Sequence, residues 1–414
     1  MLTPRMRRIA VAGTAPLGGL LVAASMPPWG WWPCAFLGLA LWESSLRRAS
    51  AATRWRRTAA FSIGWLAPSV AWMWQFSVPG YLAVLAMFAT LQASITTAIP
   101  GAPSDRWRWL VLPASLTIAE SIRFCFPFGG MPLASIAIGQ VGGPLASLAR
   151  IGGVVLVTFV VALVGTNLRR IAEHTFRRDL SISSRILRAA PSAMMVPALV
   201  GIGIVAPRAT SAGRSVTLAI VQGGGPQGTR AVHSKPRVVL ERALDESTKV
   251  DGPVDAVVWP ENIVNVHHLG TSEALAEVTA AARRVGAPFI VGITEDGENA
   301  RSQFRNAQIV VAPDGTVLDR YEKKRRVPFG EYMPMRSLLS AIGAPAGAVP
   351  RDAMPGTTPA VLETPVGTMG VAISWEIFFG GRVREAVRHG AGLVLNPTNN
   401  SSYRGTILQT QQLA

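Results

Sequence analysis

Three short motifs in the second half of the 414-residue chain carry side chains that could act together in nucleophilic catalysis. Glu261 ends a Trp-Pro-Glu motif just past an expected buried strand, and Lys323 ends a Tyr-Glu-Lys motif on a hairpin strand. Ser374 lies in an Ile-Ser-Trp-Glu motif where a strand gives way to a helix. A carboxylate, an ammonium and a hydroxyl at three strand ends can serve as general base, electrostatic stabiliser and attacking group.

The elements that must position these groups alternate between strands and helices from about residue 212 onward. Continuous apolar runs bounded by Gly, Pro and Asp indicate buried strands, and their alternation with helices indicates sheets covered by helices. The pattern predicts strands at 215–221, 254–259, 288–294 and 392–396, hairpins at 307–320 and 361–374, and helices at about 233–249, 271–285 and 380–389.

The first half of the chain consists of apolar runs broken by Pro, Gly and Arg clusters. Apolar residues make up 49% of the whole chain and charged residues 15%, too apolar a balance for an ordinary soluble protein. Seven membrane spans are predicted, at roughly 9–25, 30–46, 59–76, 81–99, 107–122, 145–167 and 190–206.

The basic residues indicate the orientation of these spans. Arginines cluster at 5–8, 47–57, 106–108 and 169–188, which are alternate loops, whereas the loops at 27–30 and 77–80 have no Lys or Arg. This positive-inside pattern predicts a cytoplasmic N-terminus and places everything after residue 206 outside the plasma membrane. The net charge of +16 therefore belongs to membrane loops, and no nucleic-acid-binding signature accompanies it.

Two features of the chain leave alternatives open. Glu120 and Arg123, at the end of the fifth span, could contact lipid headgroups or form an ion pair at the membrane interface. Residues 325–358 are rich in Pro, Gly and Met and carry little charge after Arg336. This segment could be a lid lying in the outer leaflet over a lipid-binding cleft, or a long surface loop.

In this order and spacing, the three motifs resemble the nitrilase superfamily, whose triad is Glu–Lys–Cys. Because seven spans precede them, the arrangement closely resembles the apolipoprotein N-acyltransferase family, and the segment Val-Pro-Phe-Gly-Glu at 327–331 is its most specific part. The resemblance implies an α-helical membrane bundle at 1–210, followed by a nitrilase-like αββα sandwich at 211–414 on the extracytoplasmic side.

The resemblance also implies an activity that needs no cofactor or metal. An acyl chain passes from a phospholipid to the family's cysteine as a thioester. It is then transferred to the α-amino group of the N-terminal S-diacylglyceryl cysteine of a lipoprotein. By position, Glu261 is the base and Lys323 the oxyanion stabiliser, and the supporting residues are Glu331, Glu376 and Tyr321.

This chain departs from the family at the nucleophile, because Ser374 stands where the family has cysteine. The only cysteines are Cys34 and Cys125, both in apolar stretches of the first half, so no other thiol can replace it and a thiolate metal site is excluded. An active N-acyltransferase using Ser374 is therefore one hypothesis. The alternative is a catalytically impaired paralogue that binds lipid or lipoprotein, or scaffolds a polyprenol-phosphate-mannose synthase.

A second departure concerns the end of the sequence. The family continues past the strand at 392–396 with more sandwich elements and a final span. This sequence stops at Ala414, inside a run from Thr406 that is predicted to be helical. The resemblance therefore implies a sandwich that lacks its last strands.

Overall fold

The computed structural model describes residues 4–98, 108–176, 181–210, 214–224, 236–341, 347 and 349–414. The predicted inner-loop residues Arg106, Arg177 and Arg178, and residues 233–235 of the helix predicted from 233, lie outside these ranges. The chain divides into two compact units. Unit 1 comprises Met1–Ala209 with Gly405–Ala414, and unit 2 comprises Thr210–Arg404.

Unit 1 is helical, and a helix overlaps each of the seven predicted spans. Its long helices are α1 (Pro4–Ala24), α2 (Pro33–Leu46), α3 (Ala51–Ser69), α4 (Val78–Ala98), α5 (Arg108–Arg123), α6 (Ala149–Phe176) and α7 (Ile182–Val205). Within the described residues, two segments, Val78–Ala98 and Ala146–Arg169, are long and apolar enough to cross a membrane.

Glycines allow the first three helices of unit 1 to pack closely. A Cβ added at Gly18 of α1 would lie 2.5 Å from the carbonyl oxygen of Gly38 in α2. One added at Gly19 would lie 2.1 Å from the carbonyl oxygen of Phe61 in α3. Glycine has no side chain to hold the helix backbones apart at these positions.

A buried ion pair holds the segment between α5 and α6. Arg123 donates to Glu120 at 2.8 Å and to the carbonyl oxygen of Met131 at 3.0 Å. Glu120 in turn accepts from the Ile136 amide at 3.1 Å and from the Thr158 hydroxyl at 2.5 Å. Both charged side chains are almost fully buried. Of the two interpretations of Glu120 and Arg123, the ion pair is the one observed, and its partners are protein groups.

Unit 2 contains two mixed β-sheets. The strands are β1 (Leu218–Ile220), β2 (Ala256–Val258), β3 (Val264–Asn265), β4 (Phe289–Asp296), β5 (Gln303–Val311), β6 (Val317–Glu322), β7 (Asp352–Ala353), β8 (Val361–Thr364), β9 (Gly367–Val371) and β10 (Leu393–Leu395). The first sheet has the order β1-β2-β4-β5-β6, with β3 paired to β4 and β7 to β5. The second sheet has the order β10-β9-β8.

Helices cover the outer faces of these sheets. The remaining helices are α8 (Pro236–Ser247), α9 (Glu273–Val285), α10 (Arg336–Ala341), α11 (Gly380–Arg388) and, in unit 1, α12 (Leu408–Leu413). One core joins α8 and α9 to side chains such as Val257, Val291 and Ile309 of the first sheet. Their neighbours Val258 and Ile290 belong to a second core, shared with the second sheet and α11.

The alternation of side chains between these two cores follows from the two-residue period of a strand. Each central strand is therefore buried on both faces, and the layers run helix, sheet, sheet, helix, as the predicted αββα sandwich requires. The predicted boundary at Ser374 was wrong. The strand expected to reach Ser374 ends at Val371, and Ser374 begins a single 3-10 turn that extends to Phe378.

Candidate active site

Lys323 lies at the centre of a buried charged cluster in unit 2. It follows the last residue of β6, and only 2% of its side chain is exposed. Its Nζ lies 2.8 Å from Oε1 of Glu261 and 2.7 Å from Oε1 of Glu331. The motifs that end at Glu261 and Lys323, 62 residues apart, are thus brought into direct contact, and Glu331 completes the cluster.

Neutral donors hold the two carboxylates in place. Nδ2 of Asn306, in β5, donates to Oε1 of Glu261 at 2.8 Å and to Oε1 of Glu331 at 3.1 Å. The second oxygen of Glu261 accepts from the backbone amide of Asn399 at 3.0 Å. The second oxygen of Glu331 accepts from the backbone amide of Val327 at 2.8 Å. Every carboxylate oxygen of the cluster therefore has a donor, as buried charges require.

The cluster changes the acidity of its members. Burial alone would lower the pKa of Lys323, but the carboxylates of Glu261 and Glu331 outweigh burial and raise it above its ordinary value. Removal from water raises the pKa of Glu331, although Lys323 opposes this change. Burial, aided by the Glu331 carboxylate, raises the pKa of Tyr403 to about 12. Lys323 is thus a fixed positive charge, and Tyr403 remains a neutral hydroxyl.

Ser374 lies at a strained position in the turn that follows β9. Its φ is +49°, in the left-handed region, which costs a non-glycine residue about 1–2 kcal/mol. Its backbone amide donates to the carbonyl oxygen of Pro397 at 2.9 Å. Nδ2 of Asn396 donates to the carbonyl oxygen of Ala372 at 2.5 Å. Strain that the surroundings hold in place is typical of functional positions.

Glu376 ties this turn to the chain beside Lys323. Its fully buried carboxylate accepts from the Ile373 amide at 3.0 Å, within the turn. It also accepts from the amides of Lys324 at 3.0 Å and Arg325 at 2.9 Å, and from the Tyr321 hydroxyl at 2.8 and 2.9 Å. One carboxylate therefore fixes the Ser374 turn against the segment that follows β6, which begins with Lys323.

The six residues singled out in the sequence thus fall into two linked networks. Glu261, Lys323 and Glu331 form the charged cluster, while Glu376 and Tyr321 form the network that fixes the Ser374 turn. The sequence motifs did not indicate the positioning groups Asn306, Asn399 and Arg382, the last of which donates from Nη2 to the Tyr321 hydroxyl at 2.9 Å.

The register of the hairpin formed by β5 and β6 places Asn306, and a bulge between Val310 and Val311 shifts that register by one residue from the pairing next to the turn at Pro313-Asp314-Gly315. The turn alone therefore does not predict the position of Asn306. In the observed register Ala307 pairs with Glu322. Asn306 then lies opposite Lys323, whose amide donates to its carbonyl oxygen at 2.8 Å. No local signal exists for Asn399 either, because it lies 138 residues from Glu261.

Comparison with known proteins gives matches along most of the chain. Residues 18–166 match the model of the apolipoprotein N-acyltransferase N-terminal domain, and residues 217–414 match that of the carbon-nitrogen hydrolases. An apolipoprotein N-acyltransferase of Mycolicibacterium smegmatis is 30% identical to this chain, and the match covers 98% of the chain and 72% of the relative. The chain belongs to the apolipoprotein N-acyltransferase family.

Other relatives of the same name support this assignment. The apolipoprotein N-acyltransferase of Geobacter metallireducens is 26% identical over 94% of this chain and 77% of its own length. That of Azotobacter vinelandii is 31% identical over 78% of this chain and 64% of its own length. Because these relatives carry the name of the enzyme, the alternative of a catalytically impaired paralogue is not favoured. The resemblance stated from the motifs is confirmed.

Proposed function

We propose that this protein is an apolipoprotein N-acyltransferase that moves an acyl chain from a phospholipid to the N-terminal S-diacylglyceryl cysteine of lipoproteins. The observation that carries the proposal is the buried cluster in which Lys323 contacts both Glu261 and Glu331. Glu376 links that cluster to the strained turn at Ser374. The family membership supports the reaction, and the cluster and the turn together contain the residue types that its steps require.

In the first step Glu261 accepts the proton of the Ser374 hydroxyl, and Oγ attacks the carbonyl carbon of the phospholipid ester. The Lys323 ammonium stabilises the negative charge that develops on the carbonyl oxygen. The bond from that carbon to the glycerol oxygen then breaks. Glu261 returns the proton to this oxygen, the lysophospholipid leaves, and the acyl chain remains on Ser374 as an ester.

In the second step the α-amino group of the lipoprotein cysteine attacks the ester carbon. Glu261 takes a proton from the attacking amine and gives it to Oγ of Ser374 as the bond to Oγ breaks. The amide product leaves, and the hydroxyl is restored. Lys323 stabilises the oxyanion in this step as well, because the same carbonyl oxygen becomes charged.

The presence of serine in place of cysteine affects the expected rate of acyl transfer. A thiol has an ordinary pKa near 8.5, whereas a serine hydroxyl is far less acidic and depends on a well-aligned base. An oxygen ester is also a poorer acyl donor to an amine than a thioester. We therefore expect both steps to be slower with Ser374 than with a cysteine in the same turn.

Unit 1 is proposed to hold the protein in the plasma membrane as a bundle of seven spans, with the N-terminus in the cytoplasm and unit 2 outside. Beyond the two long apolar segments, this is supported by large apolar side chains that are exposed on all seven helices. They include Leu17, Leu20, Leu37, Ile63, Leu82, Ile118, Ile122, Ile151, Val154, Val155, Met194, Ile202, Ile204 and Val205.

Association with a polyprenol-phosphate-mannose synthase remains a prediction from the resemblance.

The proposed acyl ester can be detected by mass spectrometry. The purified full-length protein is incubated with phospholipid carrying a labelled acyl chain, beside a Ser374→Cys variant and a Ser374→Ala control. We expect a labelled adduct on Ser374 and a larger one on the cysteine, with none at this position in the Ala control.

An adduct on the cysteine alone would mean that the site is assembled but that Ser374 does not attack, which contradicts the proposed role of the serine. The lack of an adduct on both proteins would contradict the proposed activity of the whole site.

A further inference from the structure

Three basic residues, Lys324, Arg325 and Arg326, directly follow Lys323 and differ from it in their surroundings. Lys323 is buried between two carboxylates, whereas the next three are exposed or half-buried. Within the part of the chain that the structure describes, none of these three forms an ion pair with a carboxylate. We call them the basic run. Three adjacent cations without a counter-charge attract anions.

The guanidinium of Arg325 is held beside the Ser374 turn. It lies over the ring of Phe379, 4.1 Å from the ring centroid. Phe379 packs edge-on against Trp375, the residue after Ser374, with ring centroids 5.8 Å apart. Since the Arg325 amide also donates to Glu376, backbone and side chain both fix this residue against the turn that carries the proposed nucleophile.

The guanidinium of Arg326 is held against the loop that carries Glu331. It lies over the ring of Tyr332, 4.3 Å from the centroid, and its Nη1 donates to the carbonyl oxygen of Ala353 at 2.9 Å. Stacking on an aromatic ring fixes the plane of a guanidinium and leaves its edge donors available. The two residues that follow Lys324 therefore both have guanidinium groups held in a fixed orientation.

We propose that Arg325 and Arg326 bind the phosphodiester of the phospholipid acyl donor. Guanidinium groups suit phosphate because their parallel N–H donors match its oxygens in geometry and charge. A phospholipid also has acyl chains, and side chains that follow the basic run, Phe329, Met335 and Leu338, are each about half exposed and apolar. Cations next to exposed apolar side chains match a lipid better than they match a free phosphate ion.

This inference rests on the proposed function, because it names the headgroup that the same site holds. Its test measures binding, so the result does not depend on whether Ser374 accepts an acyl chain. The full-length protein in neutral detergent micelles is given phosphatidylglycerol or diacylglycerol with the same acyl chains, and retained lipid is measured by native mass spectrometry. We expect preferential retention of phosphatidylglycerol.

The double variant Arg325→Gln/Arg326→Gln is expected to lose this preference by about tenfold or more, the size of one lost charge-assisted hydrogen bond. A control, Arg384→Gln/Arg388→Gln, removes the same charge from exposed arginines of α11 and should keep the preference. The variant Arg325→Lys/Arg326→Lys retains both charges and should keep part of the preference for phosphatidylglycerol. A partly kept preference would show that substitution at these two positions does not unfold the loop.

Two results would overturn the proposal. One is equal retention of the two lipids by the unmodified protein. The other is an unchanged preference in the Arg325→Gln/Arg326→Gln variant.

Discussion

At the scale of single residues, Lys323 is the group whose loss should matter most. Replacing it with alanine leaves Glu261 and Glu331 buried without a counter-charge, which typically costs about 3–5 kcal/mol. We expect Lys323→Ala to lower the melting temperature of the detergent-solubilised protein well below that of Lys249→Ala, whose side chain is 69% exposed. Equal melting temperatures would show that the charged cluster is not formed.

The sign of the pH dependence follows from the raised pKa of Lys323. A lysine whose pKa is higher in the folded than in the unfolded state contributes stability that is fully present below the unfolded value of about 10.5. That contribution is lost only as the pH rises through the raised folded value. The melting temperature of the unmodified protein should therefore exceed that of Lys323→Ala at pH 9 by at least as much as at pH 7. Loss of Lys323 can only raise the pKa of Glu331 further, so the variant gains no stability over this range.

The backbone at Ser374 gives a separate prediction. Because its φ of +49° disfavours any residue with a Cβ, Ser374→Gly should be more stable than Ser374→Ala by about 1 kcal/mol. Thermal melting of the two variants measures this difference, and both lack the proposed nucleophile. A Ser374→Gly variant that melts below Ser374→Ala would show that the turn does not hold this residue in the left-handed region.

The residues also show what could be predicted from the sequence. Glu261, Lys323 and Ser374 could be proposed as candidates because each lies in a short motif next to a predictable strand. The groups that orient them could not be found in this way. The contact of Asn306 with Glu261 depends on the hairpin register and on the packing of one strand beside another. The contact of the Asn399 amide with Glu261 depends on the tertiary fold of the whole unit.

At the scale of elements, the strands and helices of unit 2 were predicted well where apolar runs were continuous. The hairpin predicted at 307–320 is observed as β5 and β6, because the Asp314-Gly315 turn is encoded locally and Gly315 has a φ of +96°. The turn after β9 was less predictable. Its geometry comes from the side chain of Glu376, which accepts from amides of two separate segments.

Glu376 therefore provides the prediction at this scale. Glu376→Gln replaces an acceptor-only carboxylate with an amide whose NH₂ group faces backbone donors, so we expect a loss of about 1–3 kcal/mol in stability. The amount of acyl adduct on Ser374 should also fall, because the hydrogen bonds from the amides of Lys324 and Arg325 to Glu376 are weakened. Glu298→Gln, at a side chain that is 79% exposed, is the control. A Glu376→Gln variant as stable as this control would contradict the role of Glu376.

At the scale of the whole molecule, the charge pattern predicts the orientation in the membrane. An impermeant maleimide applied to intact cells should label Glu298→Cys in unit 2 but not Ala51→Cys, which lies in a predicted inner loop. Cys34 and Cys125 are first replaced by serine, so that the introduced thiol is the only one. Labelling of Ala51→Cys alone would mean that the orientation is reversed.

The positions of the seven long helices of unit 1 could be predicted because long apolar runs broken by Pro, Gly and Arg clusters favour helices. The tertiary contacts of unit 1 could not. The Glu120–Arg123 pair contacts backbone groups of a segment that has no strong pattern of its own. Gln411, near the end of the sequence, accepts from the Ala134 amide at 2.9 Å, a contact 277 residues apart that no local signal predicts.

The central claim is that the cluster of Glu261, Lys323 and the Ser374 turn transfers an acyl chain to an amine. Its most direct test supplies the purified protein with acyl-labelled phospholipid and a peptide that begins with S-diacylglyceryl cysteine, and measures acylation of the peptide's α-amino group. We expect N-acylated peptide from the unmodified protein, faster formation with Ser374→Cys, and none with Ser374→Ala. Equal product with Ser374→Ala, or no product from the unmodified protein and Ser374→Cys alike, would contradict the claim.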